Sequence, residues 1–535
     1  MNTKGLNDVL RRSCYGLFCN IDGKDQFLDE NNQFGIEIER EIDGENIFIT
    51  NINVINNLKK SIKLYSALVA DLKLQNYYPD KILENAWTQS GFSGYRNGIN
   101  TSKKKKLFLL RDQNPFSFRK AYGYIKGAQV SEWYTELVKQ GESLVIGAIS
   151  IENQFSQIFV KKEKEGTRVR VTCQFDGLTL EPGASIRSEK IAIIFGEVRQ
   201  TLEKYADLVK RENKINHLPK PIKGLCCAYY YQGNYVNEKY IKDEMDSIVI
   251  FPKKLTLELV QIDGVPAPWG DWEDSWSSLF PGGLEAIARD IKRRGYMAGI
   301  WIAPYVASPK SKLFQNHPDW FLRDGKSKFF EARLTTPFDF ISSLSFRALD
   351  PTHPGVKEFI SGLFRKLKLY GFEYFKIDFT YPVCFANNFY KNVTRAQALR
   401  EGFEIIRNST GKNALIQSCI TQMSPLVGLI DYCRVGLDTL NPFVCKVPIL
   451  NGYINNYMLR EDLRNCESRN FWHKKIWIND PDCVIFRSGT GISISLINKH
   501  KDFTLRNSTS LWIGDNIAKL TEGERTKLYD FVNFQ

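Results

Sequence analysis

Short segments in which apolar and polar residues alternate dominate the first 212 residues of the chain. The alternation is clear at 34–55, 143–151 and 157–175, and turn-forming Asp-Gly, Glu-Gly and Pro-Gly pairs separate such segments. Because successive side chains of a strand point to opposite faces, a period of two predicts half-buried strands. We therefore expect an antiparallel β-sandwich over residues 1–212, ending in a helix and followed by a linker at 213–223.

The pattern changes at Gly224, where apolar strand candidates begin to alternate with helix candidates. Continuous apolar strands suit a parallel sheet that is covered on both faces, and eight such strand–helix units predict a (β/α)8 TIM barrel at 224–498. Residues 499–535 are expected to form a short C-terminal segment. The eight strand candidates are GLCCAYYY, LTLELVQID, YMAGIWIAPY, EYFKIDF, ALIQSCI, YCRVGLD, KIWIND and GISISLI.

Composition and charge exclude several classes of function. The chain has 73 basic and 60 acidic residues, a net charge of +13, but its one basic run, Lys103–Lys106, is typical of a solvated loop. No nucleic-acid-binding motif accompanies that run, so we predict no nucleic-acid partner. The five histidines never pair at i, i+4 spacing, which argues against a histidine-based metal site, and we predict no metal and no cofactor.

The cysteines and the apolar segments bear on location. The 11 cysteines form no CxxC pair, which favours reduced thiols and a cytoplasmic protein over a disulfide framework. The first 20 residues lack a continuous apolar stretch, and no run approaches 18 apolar residues. We therefore predict neither a signal peptide nor contact with a membrane.

Polar side chains collect at the predicted C-terminal ends of the barrel strands, which is where barrel enzymes place their active sites. A single aspartate there is more often a helix cap or a turn former, but carboxylates at four strand ends need another explanation. In strand order the residues are Asp263, Trp301, Lys376, Asp378, Cys419, Arg434, Asp438, Asn479, Asp480 and Asp482.

Asp378 and Asp438 are the candidates for a pair of catalytic carboxylates. Lys376 lies two residues before Asp378 and shares its face of the strand, and a neighbouring lysine keeps a carboxylate ionised. Two carboxylates can hydrolyse a glycosidic bond without a metal, because one attacks the anomeric carbon while the other protonates the leaving oxygen. A buried ion pair that only satisfies itself is the structural alternative, and it is disfavoured because such pairs stabilise poorly.

A set of motifs runs through the predicted barrel. It begins with the long segment that starts GDWEDSWSSLFPGG and continues with ALDPTHPGVKEF, YFKIDFTYP, TRAQALREGFEIIR and WINDPDC. Each motif alone is weak evidence, but the set is specific. Together they resemble glycoside hydrolase family 36, a clan D family of retaining α-galactosidases and α-N-acetylgalactosaminidases. The similarity covers most of residues 224–496, and weaker similarity reaches the predicted sandwich.

The resemblance implies a role for each candidate residue. By position, Asp378 is the nucleophile and Asp438 the general acid/base of a retaining mechanism. Asp263 and Lys376 are expected to bond hydroxyls of a galactose-like ring. The resemblance places Trp301, Cys419 and Arg434 around the sugar pocket.

Three features depart from the family pattern. The paired aspartates after the second strand are reduced to Asp263, with Asp271 as a candidate replacement for the second one. Ile420 follows Cys419 where a glycine is common. The C-terminal β-domain that is usual in the family is expected to be short or absent. The first two departures concern the substrate side of the site more than the catalytic pair.

The favoured hypothesis is a retaining exo-glycosidase that removes terminal α-linked galactose-type residues from oligosaccharides or glycoconjugates. The same site would serve an α-N-acetylgalactosaminidase or an α-galactosyl transglycosidase, and a homo-oligomer is possible. A non-catalytic carbohydrate-binding protein is the alternative of another class. A barrel that binds phosphorylated metabolites ranks last, because its glycine loop at 488–491 precedes the eighth strand candidate.

Overall fold

The fold was analysed in a computed structural model, which divides the chain into two compact units. The first consists of Met1–Asn216, Val383–Glu401 and Gln422–Gly428, and the second of His217–Pro382, Gly402–Thr421 and Leu429–Gln535. The basic run Lys103–Lys106 lies outside the described residues. The structure describes residues 15–29, 35–44, 46–99, 126–226, 228–231, 236–249, 255–264, 268–324, 328–329, 331–334, 344–386, 388–440 and 448–533.

The first unit contains two antiparallel sheets, as the alternating pattern predicted. In spatial order, the six-stranded sheet consists of Lys24–Asp29, Gly16–Ile21, Ile62–Gln75, Gly166–Leu180, Ser156–Glu163 and Ala128–Glu132. The second sheet runs Ser185–Arg187, Ile47–Ile55, Ile191–Glu197, Glu142–Ala148, Tyr134–Lys139, Lys81–Glu84 and Gly94–Asn97, with Gly35–Ile42 paired to Ile47–Ile55.

The alternation of buried side chains shows why these segments form strands. Along Gly166–Leu180, every second side chain over most of the strand lies in the core. The helix Gln200–Glu212 follows the sandwich strands and buries Tyr205, whose hydroxyl donates to the Ala148 carbonyl at 2.6 Å. A Cβ on Gly147 would lie 2.4 Å from that hydroxyl, so only glycine permits this close approach. The predicted sandwich and its closing helix are confirmed.

The second unit is built around a parallel barrel. Its first seven strands fall where the sequence predicted them, and the seventh is interrupted at Pro481 and Asp482. The first piece of that strand pairs with the sixth strand and the second piece with the eighth, so the two ends of the curled sheet are consecutive in the chain. The strands are Lys223–Cys226, Leu259–Ile262, Met297–Ile302, Tyr374–Ile377, Leu415–Ser418, Tyr432–Arg434, Ile478–Asp480 with Cys483–Val484, and Leu511–Ile513.

Helices follow most of the barrel strands. They are Ala228–Tyr231, Glu238–Val249, Trp272–Leu279, Leu284–Arg293, Lys312–Asn316, Pro354–Leu369, Arg395–Thr410, Pro448–Ser468, Ile494–Asn507 and Glu522–Asn533. Short 3₁₀ turns lie at Pro318–Trp320, Tyr381–Phe385, Ser424–Leu426, Asn470–Trp472 and Ile517–Lys519, and Val306–Ala307, Leu344–Ala348 and Glu331–Leu334 form a small antiparallel sheet. Within the described part of the chain, none of the helices combines the length and the apolar character of a membrane span.

The prediction of the eighth strand is wrong. The segment GISISLI, predicted as a strand, runs into the helix Ile494–Asn507, and the eighth strand is Leu511–Ile513. That helix buries Leu496, His500, Phe503 and Thr504, a spacing that follows the helical period, whereas the short window at its start imitates a period of two. The barrel therefore continues past residue 498, into the segment that was expected to follow it.

Candidate active site

The fourth barrel strand places two charged residues at its C-terminal end, and both are buried. Lys376 belongs to the strand Tyr374–Ile377, and Asp378 follows it directly. The ion-pair partner of Lys376 is Asp263, whose Oδ2 lies 2.8 Å from the lysine Nζ. Burial lowers the pKa of Lys376, but the charge of Asp263, together with Cys226 and Cys419, outweighs this and holds that pKa well above its ordinary value.

Asp378 is held through both of its carboxylate oxygens. The Trp301 indole Nε1 donates to Oδ2 at 2.9 Å, and the Phe379 amide donates to Oδ1 at 2.7 Å. Burial raises the pKa of Asp378 to about 6, although Lys376 and the two donors lower it. Lys376 thus acts in the direction that the sequence predicted, but burial is the larger effect, and the carboxyl group ionises near pH 6.

Asp263, at the end of the second strand, is bonded on one side only. Its Oδ2 accepts from Lys376, from Gln261 Nε2 at 2.6 Å and from Cys226 Sγ at 3.3 Å. Its Oδ1 accepts no hydrogen bond from the described residues. Because three donors fix Oδ2, the other oxygen is held in a defined direction and is available to a ligand hydroxyl.

Arg434 and Asp438 occupy the end of the sixth strand. The Arg434 Nη2 donates to the Leu437 carbonyl at 2.6 Å and to Asp438 Oδ1 at 3.0 Å. The turn between them requires glycine, because a Cβ on Gly436 would lie 1.6 Å from a carboxylate oxygen of Asp462. The arginine is 1% exposed, whereas the Asp438 side chain is 37% exposed.

The protein environment favours the protonated form of Asp438. Burial among the surrounding groups raises the pKa of Asp438 and is the largest effect, and the charge of Asp482 raises it further. The charges of Arg434 and Lys376 and a hydrogen bond from Tyr229 lower this pKa. In contrast, although burial raises it, the pKa of Asp482 lies below its ordinary value, because the charges of Arg434 and Lys376 and hydrogen bonds from the Thr439 amide and Tyr229 together outweigh burial.

An aromatic cluster surrounds the indole that bonds Asp378. The Trp301 ring lies edge-on to Trp269 with ring centroids 5.4 Å apart, and Trp269 stacks on Phe346 at 4.2 Å. Phe379 packs against Trp269 at 5.0 Å. These contacts fix the orientation of the Trp301 indole and hence the hydrogen bond that it donates.

The fifth strand ends in a buried thiol and an unusual backbone conformation. Cys419 is 3% exposed, and burial and the charge of Asp378 raise its pKa well above the ordinary value, so the thiol is neutral. Ile420, which stands where the family resemblance led us to expect glycine, has a φ of 33°, in the left-handed region that disfavours a β-branched residue. The departure noted in the sequence therefore coincides with local backbone strain.

Asp271 is not joined to the other predicted site residues by any contact among the described residues. Its two oxygens accept hydrogen bonds from the backbone amides of Lys312 and Leu313, at 2.7 and 3.0 Å. The carboxylate thus fastens the start of the helix Lys312–Asn316. This structural task gives no support to Asp271 as a replacement for a second hydroxyl-binding aspartate.

The glycine loop at 488–491 lies between the seventh strand and the helix Ile494–Asn507. The argument from sequence against phosphate binding, that this loop directly precedes the eighth strand, was therefore wrong. The Ser488 amide, however, already donates to the carboxylate of Glu524 at 2.7 Å. Gly491 packs so closely on Gly452 that a Cβ there would lie 2.6 Å from the Gly452 Cα. A carboxylate bound to this loop argues against phosphate binding. The described residues also contain no cluster of metal-ligand side chains.

The sequence did not identify three residues that contact the site. Gln261 is two positions before Asp263 on one strand, so the shared face was a usable signal. Cys226 and Tyr229 follow the first strand, where no spacing distinguished them. The contacts of Asp482 with Arg434 and the Thr439 amide join distant parts of the chain, and no local spacing in the motif WINDPDC could indicate them.

The chain combines an antiparallel sandwich with a (β/α)8 barrel, and it carries carboxylates at the C-terminal ends of the barrel strands. The Melibiase family profile matches residues 264–381. Together with the relatives described below, this match confirms the resemblance to glycoside hydrolase family 36.

Among curated proteins, alpha-galactosidase AgaA of Geobacillus stearothermophilus is 23% identical over 157 residues, which is 27% of this chain and 20% of that protein. An alpha-galactosidase of Escherichia coli is 39% identical over 56 residues, or 10% of this chain and 8% of that protein. The matched region thus spans a fifth or less of the length of these relatives.

Solved structures match over nearly the whole chain. TtGalA, an alpha-galactosidase from Thermus thermophilus in complex with p-nitrophenyl alpha-D-galactopyranoside, superposes with a TM-score of 0.68 at 20% identity and covers 93% of this chain and 94% of its own. The GH36 alpha-galactosidase AgaA from Geobacillus stearothermophilus gives 0.64 at 15% identity, covering 95% of this chain and 68% of its own. At these identities the likeness establishes the fold.

Proposed function

We propose that this chain is a retaining exo-glycoside hydrolase that removes terminal α-linked galactose from oligosaccharides or glycoconjugates. The observation that carries the proposal is the contrast between two carboxylates at the same end of the barrel, Asp378 and Asp438. The first is buried and fixed through both oxygens, while the second is partly exposed and bonded to an arginine. This is the division of labour that a nucleophile and a general acid require.

In the first step, Asp378 attacks the anomeric carbon and the glycosidic bond breaks. With a pKa of about 6, its carboxyl group is ionised at neutral pH, as a nucleophile must be. The indole of Trp301 and the amide of Phe379 hold the two oxygens, so little reorganisation is needed when the bond to the sugar forms.

Asp438 donates its proton to the leaving oxygen in that step. In the second step it removes a proton from water, which attacks the anomeric carbon while the bond from the sugar to Asp378 breaks. The raised pKa of Asp438 favours the protonated state that the first step requires. Its partial exposure gives the leaving group and the incoming water access to the carboxyl group, while Arg434 fixes the direction of one oxygen.

Asp263 and Lys376 are proposed to recognise the ring hydroxyls. Asp263 Oδ1 has no partner among the described residues, and the lysine ammonium has donors beyond the one directed at Asp263. Together they offer an acceptor and a donor in a fixed geometry, next to the indole of Trp301 and the thiol of Cys419. A site built to bond a particular hydroxyl rejects a substrate in which that hydroxyl points elsewhere.

The names of related structures support this choice of substrate. TtGalA was solved with stachyose as well as with p-nitrophenyl alpha-D-galactopyranoside, and a doubly substituted variant of AgaA was solved with raffinose. An α-N-acetylgalactosaminidase and a transglycosidase would use the same residues and stay as alternatives. A non-catalytic sugar-binding protein has no need of two carboxylates in such different environments. A cytoplasmic location and a homo-oligomeric state stay predictions.

The proposal is tested with purified protein and p-nitrophenyl glycosides. We expect turnover of the α-galactoside, no turnover of the β-galactoside, and poor turnover of the α-glucoside, which differs only at the 4-hydroxyl. Equal rates for the α-glucoside and the α-galactoside would overturn the galactose assignment. Faster turnover of the α-N-acetylgalactosaminide, or transfer products with an added sugar acceptor, would select one of the same-site alternatives. Sugar binding without any turnover would favour the binding protein.

A further inference from the structure

The interruption of the seventh barrel strand places one carboxylate in an uncommon backbone conformation. Asp482 has a φ of 72°, in the left-handed region that non-glycine residues seldom occupy. Its own amide donates to Asp480 Oδ1 at 2.8 Å, and its side chain is 3% exposed. The local structure therefore holds a buried carboxylate at the strand end through a conformation that costs free energy.

One oxygen of the Asp482 carboxylate contacts two groups that are adjacent to Asp438. Asp482 Oδ2 lies 2.7 Å from the Nη2 of Arg434, which is the donor to Asp438. The same Oδ2 accepts a hydrogen bond from the amide of Thr439, the residue that follows Asp438, also at 2.7 Å. Asp482 thus fixes the donor to the Asp438 carboxyl group and the backbone that carries this carboxyl group.

The position of Arg434 depends strongly on this contact. Its Nε and Nη1 have no hydrogen-bond partner among the described residues, although the side chain is 1% exposed. The guanidinium is therefore anchored through Nη2 alone, which is shared between Asp438, Asp482 and the Leu437 carbonyl. Without Asp482, Asp438 is the one carboxylate among the described residues to which the guanidinium donates, and Asp480 and Asp462 act on the arginine through their charge.

We propose that Asp482 is a positioning residue for Asp438, which it aligns by holding Arg434 and the Thr439 amide with a single oxygen. The inference rests on the proposed function, in which Asp438 is the general acid/base. It gives this role to a residue that need not touch the substrate.

The proposal has a consequence for proton affinity that a purely structural role would not have. The groups that act on Asp438 come from five other places in the barrel site, and the charge of Asp482 raises the pKa of Asp438 while Arg434 lowers it. Removing the Asp482 charge removes the first effect and leaves Asp438 as the one carboxylate to which Arg434 donates among the described residues, so the pKa of Asp438 falls. These groups are Arg434 on the sixth strand, Asp482 on the seventh, Lys376 and Asp378 on the fourth, Tyr229 after the first and Cys419 on the fifth.

The test substitutes Asp482→Asn. Asparagine tolerates a positive φ, and its oxygen can still accept the Thr439 amide, so the fold is retained while the charge is lost. We expect turnover of a disaccharide α-galactoside to fall roughly 10²-fold, as small misplacements of a reacting group do. We also expect the basic limb of the kcat/KM profile to move to lower pH, because that limb reports the protonated acid.

Thr439→Val is the matched control. It removes the hydroxyl that donates to the Cys483 carbonyl at 2.9 Å, but it keeps the backbone amide that bonds Asp482. This variant loosens the same turn without a change of charge, so its basic limb should stay at the wild-type pH. Equal shifts of the basic limb of the kcat/KM profile in both variants would contradict the proposal. A basic limb that stays at the wild-type pH in Asp482→Asn would also contradict it.

A second readout separates this proposal from the proposed function. The carboxyl group of Asp438 can be titrated by carbon-13 NMR in protein labelled at aspartate, with Asp438→Asn to assign the signal. A lower pKa of Asp438 in Asp482→Asn supports the positioning role even if the wild type hydrolyses no glycoside, in which case only the hydrolase assignment fails. An unchanged titration alongside an active wild type overturns the positioning role and leaves the hydrolase assignment intact.

Discussion

Asp378 and Asp438 lie at the same end of the barrel in differently built surroundings. Asp378 is 6% exposed, and both of its oxygens accept from uncharged donors, an indole and a backbone amide. Asp438 is 37% exposed in its side chain and accepts from a buried arginine. One carboxylate is thus fixed in place, while the other is reachable and responds to the charges around it.

The comparison shows how a single site can give two chemically identical carboxyl groups different properties. Burial and two uncharged donors fix the position of Asp378, but burial also raises its pKa. Lys376 lowers that pKa without reversing the rise, because its ammonium is paired with Asp263. At Asp438, the balance between Arg434 and Asp482 sets the proton affinity. Each of the following experiments changes one side of this comparison.

The largest effect is expected from Asp378→Asn. The amide keeps the shape of the side chain but cannot form the covalent bond to the sugar, so turnover should fall by roughly 10⁴- to 10⁶-fold, as when a nucleophile or its partner is removed. Sugar binding, measured by calorimetry with galactose, should persist. A variant that retains wild-type turnover, with its mutation verified by mass spectrometry, would exclude Asp378 as the nucleophile.

Asp438→Ala should have a smaller effect that depends on the leaving group. General acid catalysis is worth roughly 10²–10⁴-fold, and a disaccharide with a poor leaving group should lose all of it. An aryl galactoside with an activated leaving group needs little protonation, so its glycosylation step should slow far less. Rates for a series of aryl galactosides provide the measurement. Equal losses across that series would exclude Asp438 as the acid.

The stability of Asp378→Asn relative to the wild type should depend on pH. The pKa of Asp378 is about 6 in the folded protein and near 3.8 in an unfolded chain, so the folded state binds more protons between these values. The free energy of unfolding of the wild type should therefore fall by about 3 kcal/mol as pH rises from about 4 to 6. The variant has no carboxyl group at this position and should not show this decrease. Urea unfolding at pH 4 and pH 8 measures the difference between the free energies of unfolding of the two proteins, and this difference should change between the two pH values.

Trp301→Phe should have the smallest effect on turnover. It removes the indole donor to Asp378, and a hydrogen bond to a charged group is worth enough to slow the reaction by roughly tenfold. Because that bond favours the ionised form, its loss raises the pKa of Asp378 and moves the acidic limb of kcat/KM to higher pH. The control is Trp512→Phe on the eighth strand, which removes a buried indole that packs on Tyr374 and donates no hydrogen bond among the described residues. Its acidic limb should not move.

Local periodicity and strand-end position were enough to predict the sandwich, seven barrel strands and the placement of the two aspartates. The eighth strand was misplaced because Gly491–Ile497 alternates over a window too short to show the helical period that follows. The pairing of Lys376 with Asp263 and the contact of Asp482 with Arg434 could not be predicted. Both join different strands, and strand register across a barrel is not encoded in local spacing.

The most direct test of the central claim, that Asp378 is the nucleophile and Asp438 the acid/base of an α-galactoside hydrolase, is the stereochemistry of the products formed with azide. In Asp438→Ala, azide attacks the covalent intermediate without needing a base and should give the α-galactosyl azide. In Asp378→Gly, azide takes the place of the missing nucleophile and should give the β-galactosyl azide. NMR of the anomeric proton distinguishes the two products. The same anomer from both variants, or no azide product from either, would contradict the account.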